Sequence, residues 1–245
     1  MLGKCYSLTG QKFNVICLAC GSGDRMGIQS DYIPKALSKI GDKRSISYII
    51  DRYEMIAYKF IIGVSCHSDL LTSYLKGNYP KHDIDFTYQK PENLINNAIS
   101  TLYCLDLADS RYPTIIVFCD LLILGNFNIH TDSVLLASET SKGQIGSFRH
   151  SYDLKKREFI KNTEAIKPEK DNYGVLGCFI IEDTTLLKSI AYTKAHNKEL
   201  NDLTEDIIMS YHSKQEIKGE LCEKVIEFGT EIDLQTAREM WEKVI

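Results

Sequence analysis

Short apolar runs alternate along this chain with stretches whose apolar residues recur at helical spacing. The runs at Phe13–Ala19, Phe60–Ser65, Ile84–Tyr88, Thr114–Cys119, Val134–Ala137 and Val175–Ile181 predict strands. Helical periodicity predicts helices over Ser45–Tyr58, Ser68–Leu75 and Asn97–Leu107, and again over Thr184–Ala195, Leu203–Tyr211 and Asp233–Val244. Strand and helix alternate through the first half, which predicts an α/β fold: a mostly parallel central sheet covered by helices on both faces. There is no internal repeat, no low-complexity tract and no clean linker, so the 245 residues are expected to form one domain. Two charge runs, Lys155–Glu158 and Lys167–Lys170, interrupt the second half and read as solvated loops or a hairpin.

Composition narrows the class. A formal net charge of −4 without a sizeable basic cluster argues against a nucleic-acid surface. No apolar stretch reaches membrane-spanning length, and Met1–Ser7 has no apolar signal core. Several of the eight cysteines, among them Cys17, Cys119 and Cys178, sit inside strand-like runs, as free thiols in a reducing cytoplasm would. Cys17 and Cys20 have C-x-x-C spacing, but no second pair at ligand spacing supports a zinc site. A cytoplasmic enzyme with no nucleic-acid or membrane partner is expected; the oligomeric state is not readable.

The chemistry concentrates after the first strand. Val15-Ile16-Cys17-Leu18-Ala19 opens into Gly21-Ser22-Gly23-Asp24-Arg25-Met26-Gly27, followed by Ile33-Pro34-Lys35-Ala36-Leu37. Glycines let backbone N–H groups converge on an anion, and Arg25 and Lys35 add fixed positive charge at the same mouth, an arrangement suited to a triphosphate. The alternative is a tight turn with two surface cations. A P-loop would need Lys and Ser/Thr after its second glycine, and the dinucleotide fingerprint would need its third glycine one residue earlier and a helix after it. Residues 27–34 are a poor helix opening, so the cations rather than a helix terminus are expected to hold phosphate.

Leu18-Ala19-Cys20-Gly21-Ser22-Gly23-Asp24-Arg25-Met26 with Ile33-Pro34-Lys35-Ala36-Leu37 resembles the L-A-A-G-x-G-x-R-M…P-K-x-L signature of the nucleotidyltransferases that make nucleoside-diphosphate sugars and CDP-alcohols, with Cys20 in place of an alanine. The likeness continues at Ile40–Ile50 and weakly to the C-terminus. It implies a Rossmann-like three-layer, GT-A-like fold. It also implies a nucleotide-binding half over about residues 1–130 and an acceptor-binding half over about 131–245.

Other stretches extend it. Asp120 is a lone carboxylate between Ile115–Cys119 and Leu121–Leu124, expensive there unless paired, and is either a turn cap or a ligand at a strand's carboxyl end. Phe118–Leu122 resembles the family's strand end whose aspartate holds Mg²⁺. Glu227–Ala237 resembles D-I-G-T-P-E-D-L-x-x-A, which puts the second metal ligand at Glu227; the variant E-I-D-T-P-E-D-L puts it at Gly229, which has no ligating side chain. Asp233 is expected to cap the last helix, with Glu231 facing solvent. Asn96–Cys104 resembles a stretch of phosphocholine-type cytidylyltransferases, so Asn97 and Gln89 are candidates to read a base edge; a helix cap is the alternative for Asn97. Asn172–Ile180 resembles sugar-type members. Phe148, Tyr152, Tyr173 and Phe179 offer aromatic faces to a quaternary ammonium or are packing, and Trp241 is expected in the core.

The resemblance therefore implies transfer of an NMP from an NTP, with CTP favoured, to a sugar phosphate, polyol phosphate or similar small acceptor, or to phosphocholine, as a precursor for surface glycans. Arg25 and the Gly21–Gly23 backbone would take the β,γ-phosphates, Lys35 the α-phosphate, and Asp120 and Glu227 Mg²⁺. Leu18, Ala19, Ser22 and Asp24 complete the nucleotide site. Two other classes stay open: a nicotinamide-dependent oxidoreductase, and a nucleotide-binding regulator without activity.

Overall fold

The computed structural model describes residues 10–21, 23–90, 97–124, 129–137, 148–166, 171–196, 204–222 and 224–244. Its strands are β1 (Phe13–Ala19), β2 (Lys39–Ile40), β3 (Lys43–Arg44), β4 (Ala57–Val64), β5 (Ile84–Tyr88), β6 (Thr114–Phe118) and β7 (Leu121–Ile123). They continue as β8 (Ser133–Ala137), β9 (Phe148–Asp153), β10 (Glu158–Ile166), β11 (Asn172–Ile181), β12 (Lys218–Cys222) and β13 (Val225–Glu227). The helices are α1 (Ser45–Tyr53), α2 (Ser68–Asn78), α3 (Asn97–Leu107), α4 (Thr184–His196), α5 (Thr204–His212) and α6 (Glu231–Val244).

Four parallel strands in the order β6-β1-β4-β5 form one side of a nine-stranded sheet, with β5 at its edge. On the far side of β6 the sheet turns antiparallel: β11 pairs with β6, β8 and β9, while β12 lies parallel to β8. The central strand β1 is buried throughout, and its alternation divides the core. Val15, Cys17 and Ala19 pack with Ile46, Ile50 and Leu71 of α1 and α2. Ile16 and Leu18 pack with Leu102, Leu187 and Ile207 of α3, α4 and α5 on the other face. Asn14 is the polar exception in β1. Its amide donates to Asp109 O at 2.9 Å and Tyr112 O at 3.0 Å and accepts from Asp109 N at 3.0 Å, tying β1 to the turn before β6.

The α/β architecture is the expected one, with corrections in detail. Apolar periodicity extends α1 to Tyr58, but the helix stops at Tyr53 and Ala57-Tyr58 opens β4 instead; Phe13 N takes the Ile56 carbonyl at 2.9 Å. The run Lys155–Glu158 is the turn of the β9–β10 hairpin, whose strands carry too mixed a pattern to be read as strands. Residues Asp24–Asp31 form 3-10 turns rather than an extended loop or an α-helix. Lys167–Lys170 lies outside the described residues. The described cysteines are all free, and no helix among the described residues is long and apolar enough to cross a membrane.

A separate apolar cluster positions the site. Met26, Ile40, Tyr48, Leu122, Ile226, Phe228, Leu234 and Trp241 fasten the glycine loop, the β2–β3 hairpin, the β7–β13 pair and α6 to one another. Trp241 lies in this core, 4.7 Å from the Tyr48 ring. It also lies directly against Gly41, whose φ of +59° places it in the left-handed region. A Cβ there would overlap the indole. Gly41→Ala is expected to destabilise the protein by about 2 kcal/mol or more, from the backbone penalty plus overpacking. Urea unfolding checks this, and a change below about 0.5 kcal/mol would show that the hairpin is not packed on α6.

Candidate active site

A cleft of about 390 Å³ opens at the carboxyl ends of β1 and β6, where ligands gather in open α/β sheets. Leu18, Ala19, Gly21, Gly23, Asp24 and Arg25 line one wall, and Lys35 and Asp120 face them. Gly23 has φ +77°, and its carbonyl accepts from Met26 N at 2.7 Å, so the loop folds back and presents Arg25 at the rim. Lys35 follows an extended Pro34 and starts a short 3-10 turn over Lys35–Leu37, in which Leu37 N donates to Pro34 O at 2.8 Å. That turn carries the Lys35 ammonium onto the Asp120 carboxylate, with which it forms a hydrogen-bonded ion pair, 5.9 Å from the Phe228 ring centroid. Both side chains are largely buried, at 12% and 20% exposure, so the pair is less screened than a surface one.

Long-range pairing brings the second carboxylate here. In the antiparallel β7–β13 pair Glu227 sits opposite Leu121, and Phe228 N donates to Asp120 O at 3.1 Å. Burial first and the Asp120 charge second push the Glu227 carboxyl up to about 7, against the opposing pull of Lys35. A hard carboxylate whose acidity is weakened by a second carboxylate beside it suits a divalent cation, which would remove the repulsion. Glu227 is not among the residues that line the cleft wall, whereas Gly229, two positions on, lines it beside Arg25.

The remaining candidates are placed differently. Gln89 is 5% exposed and its side-chain oxygen accepts from the Ser100 hydroxyl, so it anchors the first turn of α3 rather than lining the cleft. Asn97 begins α3, its side chain beyond description, and Ser22 lies outside the described residues. Asp233 is not the cap of the last helix: Thr230 is, and Asp233 takes the reciprocal place three residues on. Asp233 accepts from Thr230 N at 2.9 Å and Thr230 Oγ1 at 2.7 Å, which makes a capping box. Glu231 is exposed, as expected. Tyr152 and Phe179 are fully buried, and Tyr152 donates to Ile217 O at 2.7 Å; both are packing, not cage walls. Phe118, not singled out from the sequence, lines the cleft with its ring against Gly177, and that glycine inside a strand was the available signal.

No protein-family model matches the chain, and no curated protein sequence matches it. Solved structures do. The CTP:phosphocholine cytidylyltransferase LicC from Streptococcus pneumoniae superposes with a TM-score of 0.73 at 17% identity, covering 94% of this chain and 99% of that one. A UDP-glucose pyrophosphorylase complexed with UDP-glucose gives 0.69 at 16% identity, covering 96% and 100%. The inositol-1-phosphate CTP transferase from T. maritima gives 0.68 at 14% identity, covering 96% and 97%. The chain therefore has the nucleotidyltransferase fold over nearly its whole length, the fold its glycine-loop motif resembles.

Proposed function

We propose that this protein transfers an NMP from an NTP to a small phosphorylated acceptor and releases pyrophosphate. The observation that carries the reading is the meeting, in one cleft, of a glycine turn, a rim arginine, a lysine and a carboxylate from three separate chain segments. The first 130 residues or so would bind the nucleotide and the remainder the acceptor. In this reading the Gly21–Gly23 backbone and Arg25 take the β,γ-phosphates, and Lys35 neutralises charge at the α-phosphate. Asp120 and Glu227 would hold Mg²⁺, which when bound supplies charge neutralisation between nucleotide and acceptor. An acceptor phosphate oxygen attacks the α-phosphorus in line, the new P–O bond forms, and the bond to the β-phosphate oxygen breaks as pyrophosphate leaves. The acceptor phosphate is dianionic near neutral pH, its second pKa being about 6, so no general base is required. Positioning and charge neutralisation supply the catalysis.

CTP is the nucleotide we favour. The Asn96–Cys104 stretch resembles cytidylyltransferases, and Ser100 of α3 meets both Gln89 and the cleft-lining Cys20. Cytosine and uracil share the O2 acceptor but present opposite polarity at N3 and at the group on C4, and one unpaired buried polar group costs about 1–3 kcal/mol. A panel of CTP, UTP, GTP, ATP and dTTP against acceptor phosphates, read by pyrophosphate release, is expected to favour CTP by about tenfold to hundredfold. A clear purine preference would overturn the base assignment and leave the reaction class standing. The same panel separates the other classes. A regulator without activity would bind NTP and release no pyrophosphate. A nicotinamide enzyme would change NADH absorbance, and the 3-10 turns after the glycine loop, in place of an α-helix, count against it. An activated precursor for surface glycans and a cytoplasmic site of action are part of the proposal.

A further inference from the structure

A second polar cluster, distinct from the phosphate cleft, lies at the same edge of the sheet. β11 runs antiparallel to β6, so its first residues, Asn172–Gly174, extend past the carboxyl end of β6, and there they pair with β9. β9 carries His150, which is 3% exposed and whose Nε2 forms no hydrogen bond among the described residues. Facing it is the first turn of α5, anchored to α3 by the Thr101–Thr204 hydroxyl pair at 2.9 Å. That turn supplies Glu205, whose Oε2 is enclosed and also unbonded, and Asp206, whose Oδ1 is 3.6 Å from His150 Nε2. Asp206 already has a partner, since Lys161 Nζ donates to it at 2.7 Å. Glu205 lies within electrostatic reach of both His150 and Asp120, which ties the cluster to the cleft.

The cluster thus keeps one enclosed carboxylate oxygen and one enclosed imidazole nitrogen with unused hydrogen-bonding capacity. Buried polar atoms of this kind are normally satisfied, so each calls for a partner. Lys161 offsets Asp206, so the cluster does not present a bare negative field for a cation. Vicinal hydroxyls fit it: each can donate to the carboxylate and exchange a bond with the imidazole. A quaternary ammonium has no N–H or O–H to offer and is held by aromatic faces, and Tyr152 and Phe179, two of the four aromatics available, are committed to the core.

We propose that His150 and Glu205 recognise hydroxyl groups of the acceptor, making the acceptor a phosphorylated polyol or sugar rather than a phosphorylated quaternary amine. This deepens the transfer reading and rests on it for the identity of the site, but its test need not depend on turnover. Ribitol 5-phosphate, glucose 1-phosphate and phosphocholine would be titrated calorimetrically into the wild-type protein, Glu205→Gln and His150→Gln, and the same three compounds assayed by pyrophosphate release at saturating CTP. The expected result is binding of a polyhydroxyl phosphate over phosphocholine. Each variant should weaken that binding, and raise the acceptor KM, by about tenfold to hundredfold while the CTP KM stays unchanged. Thermal melting identifies a variant that fails to fold, and the other variant then carries the comparison. Preference for phosphocholine, or equal effects on acceptor and CTP, overturns the proposal. Glu205-dependent binding without pyrophosphate release would instead sink the transfer reading and keep this one.

Discussion

Asp120→Asn is expected to lower turnover by on the order of 10³-fold or more, because charge stabilisation at the reacting phosphate is worth several kcal/mol. The amide keeps the shape and still accepts from Lys35, while the charge that would bind the cation is gone. The fold should survive. Lys35 does not become an isolated charge, since Glu227 lies within its electrostatic reach, and the loss of the Asp120 charge lets the Glu227 carboxyl move back toward its ordinary acidity. Pyrophosphate release measured across a Mg²⁺ titration, together with thermal melting, checks both halves. Activity retained at ordinary Mg²⁺ would make Asp120 a structural partner of Lys35 only. Loss of a cooperative melt would undercut the reading equally, because a neutral amide is easier to bury than a carboxylate.

What the sequence made legible follows from how local its signals are. β1 was readable to the residue because an apolar run broken only by Asn14 leads into the glycine turn, and both faces of that run are buried. The glycine turn, Arg25 and Lys35 were readable because they lie within twenty residues of β1. Glu227 beside Asp120 was not readable from local pattern, since β7 and β13 are three residues each and meet across a hundred residues of chain. Only the resemblance pointed there. The overshoot of α1 has the same root: Met55-Ile56-Ala57-Tyr58 continues the apolar spacing, and the pairing of β4 with β1 overrides it. The capping box reversed the reading of Asp233 because Thr230 and Asp233 each satisfy the cap pattern, and only the hydrogen bonds show which residue stands outside the helix. The His150–Glu205 cluster drew no attention in the sequence. Its members sit on β9 and α5, and neither residue carries a spacing that marks it.

Lys35→Ala is expected to cut turnover by on the order of 10²-fold or more, the range for removing one preorganised donor from a transition state. The substitution leaves the local backbone in place, since the turn is held by main-chain bonds from Leu37 N to Pro34 O and from Ser38 N to Lys35 O. It removes the ammonium that pairs with Asp120, so the two carboxylates lose the charge that opposes their repulsion, and Glu227 moves to still weaker acidity. Two effects then separate by experiment. If Lys35 serves only to neutralise Asp120, raising Mg²⁺ restores turnover, because the cation takes over that task. If Lys35 acts on the α-phosphate, turnover stays low at saturating Mg²⁺ and saturating NTP, and Lys35→Arg, which keeps the charge on a longer and planar head, recovers part of it. The second outcome is the expected one. Turnover near the wild-type value in Lys35→Ala would remove Lys35 from the mechanism and leave the ion pair as a prop for the β6–β7 turn.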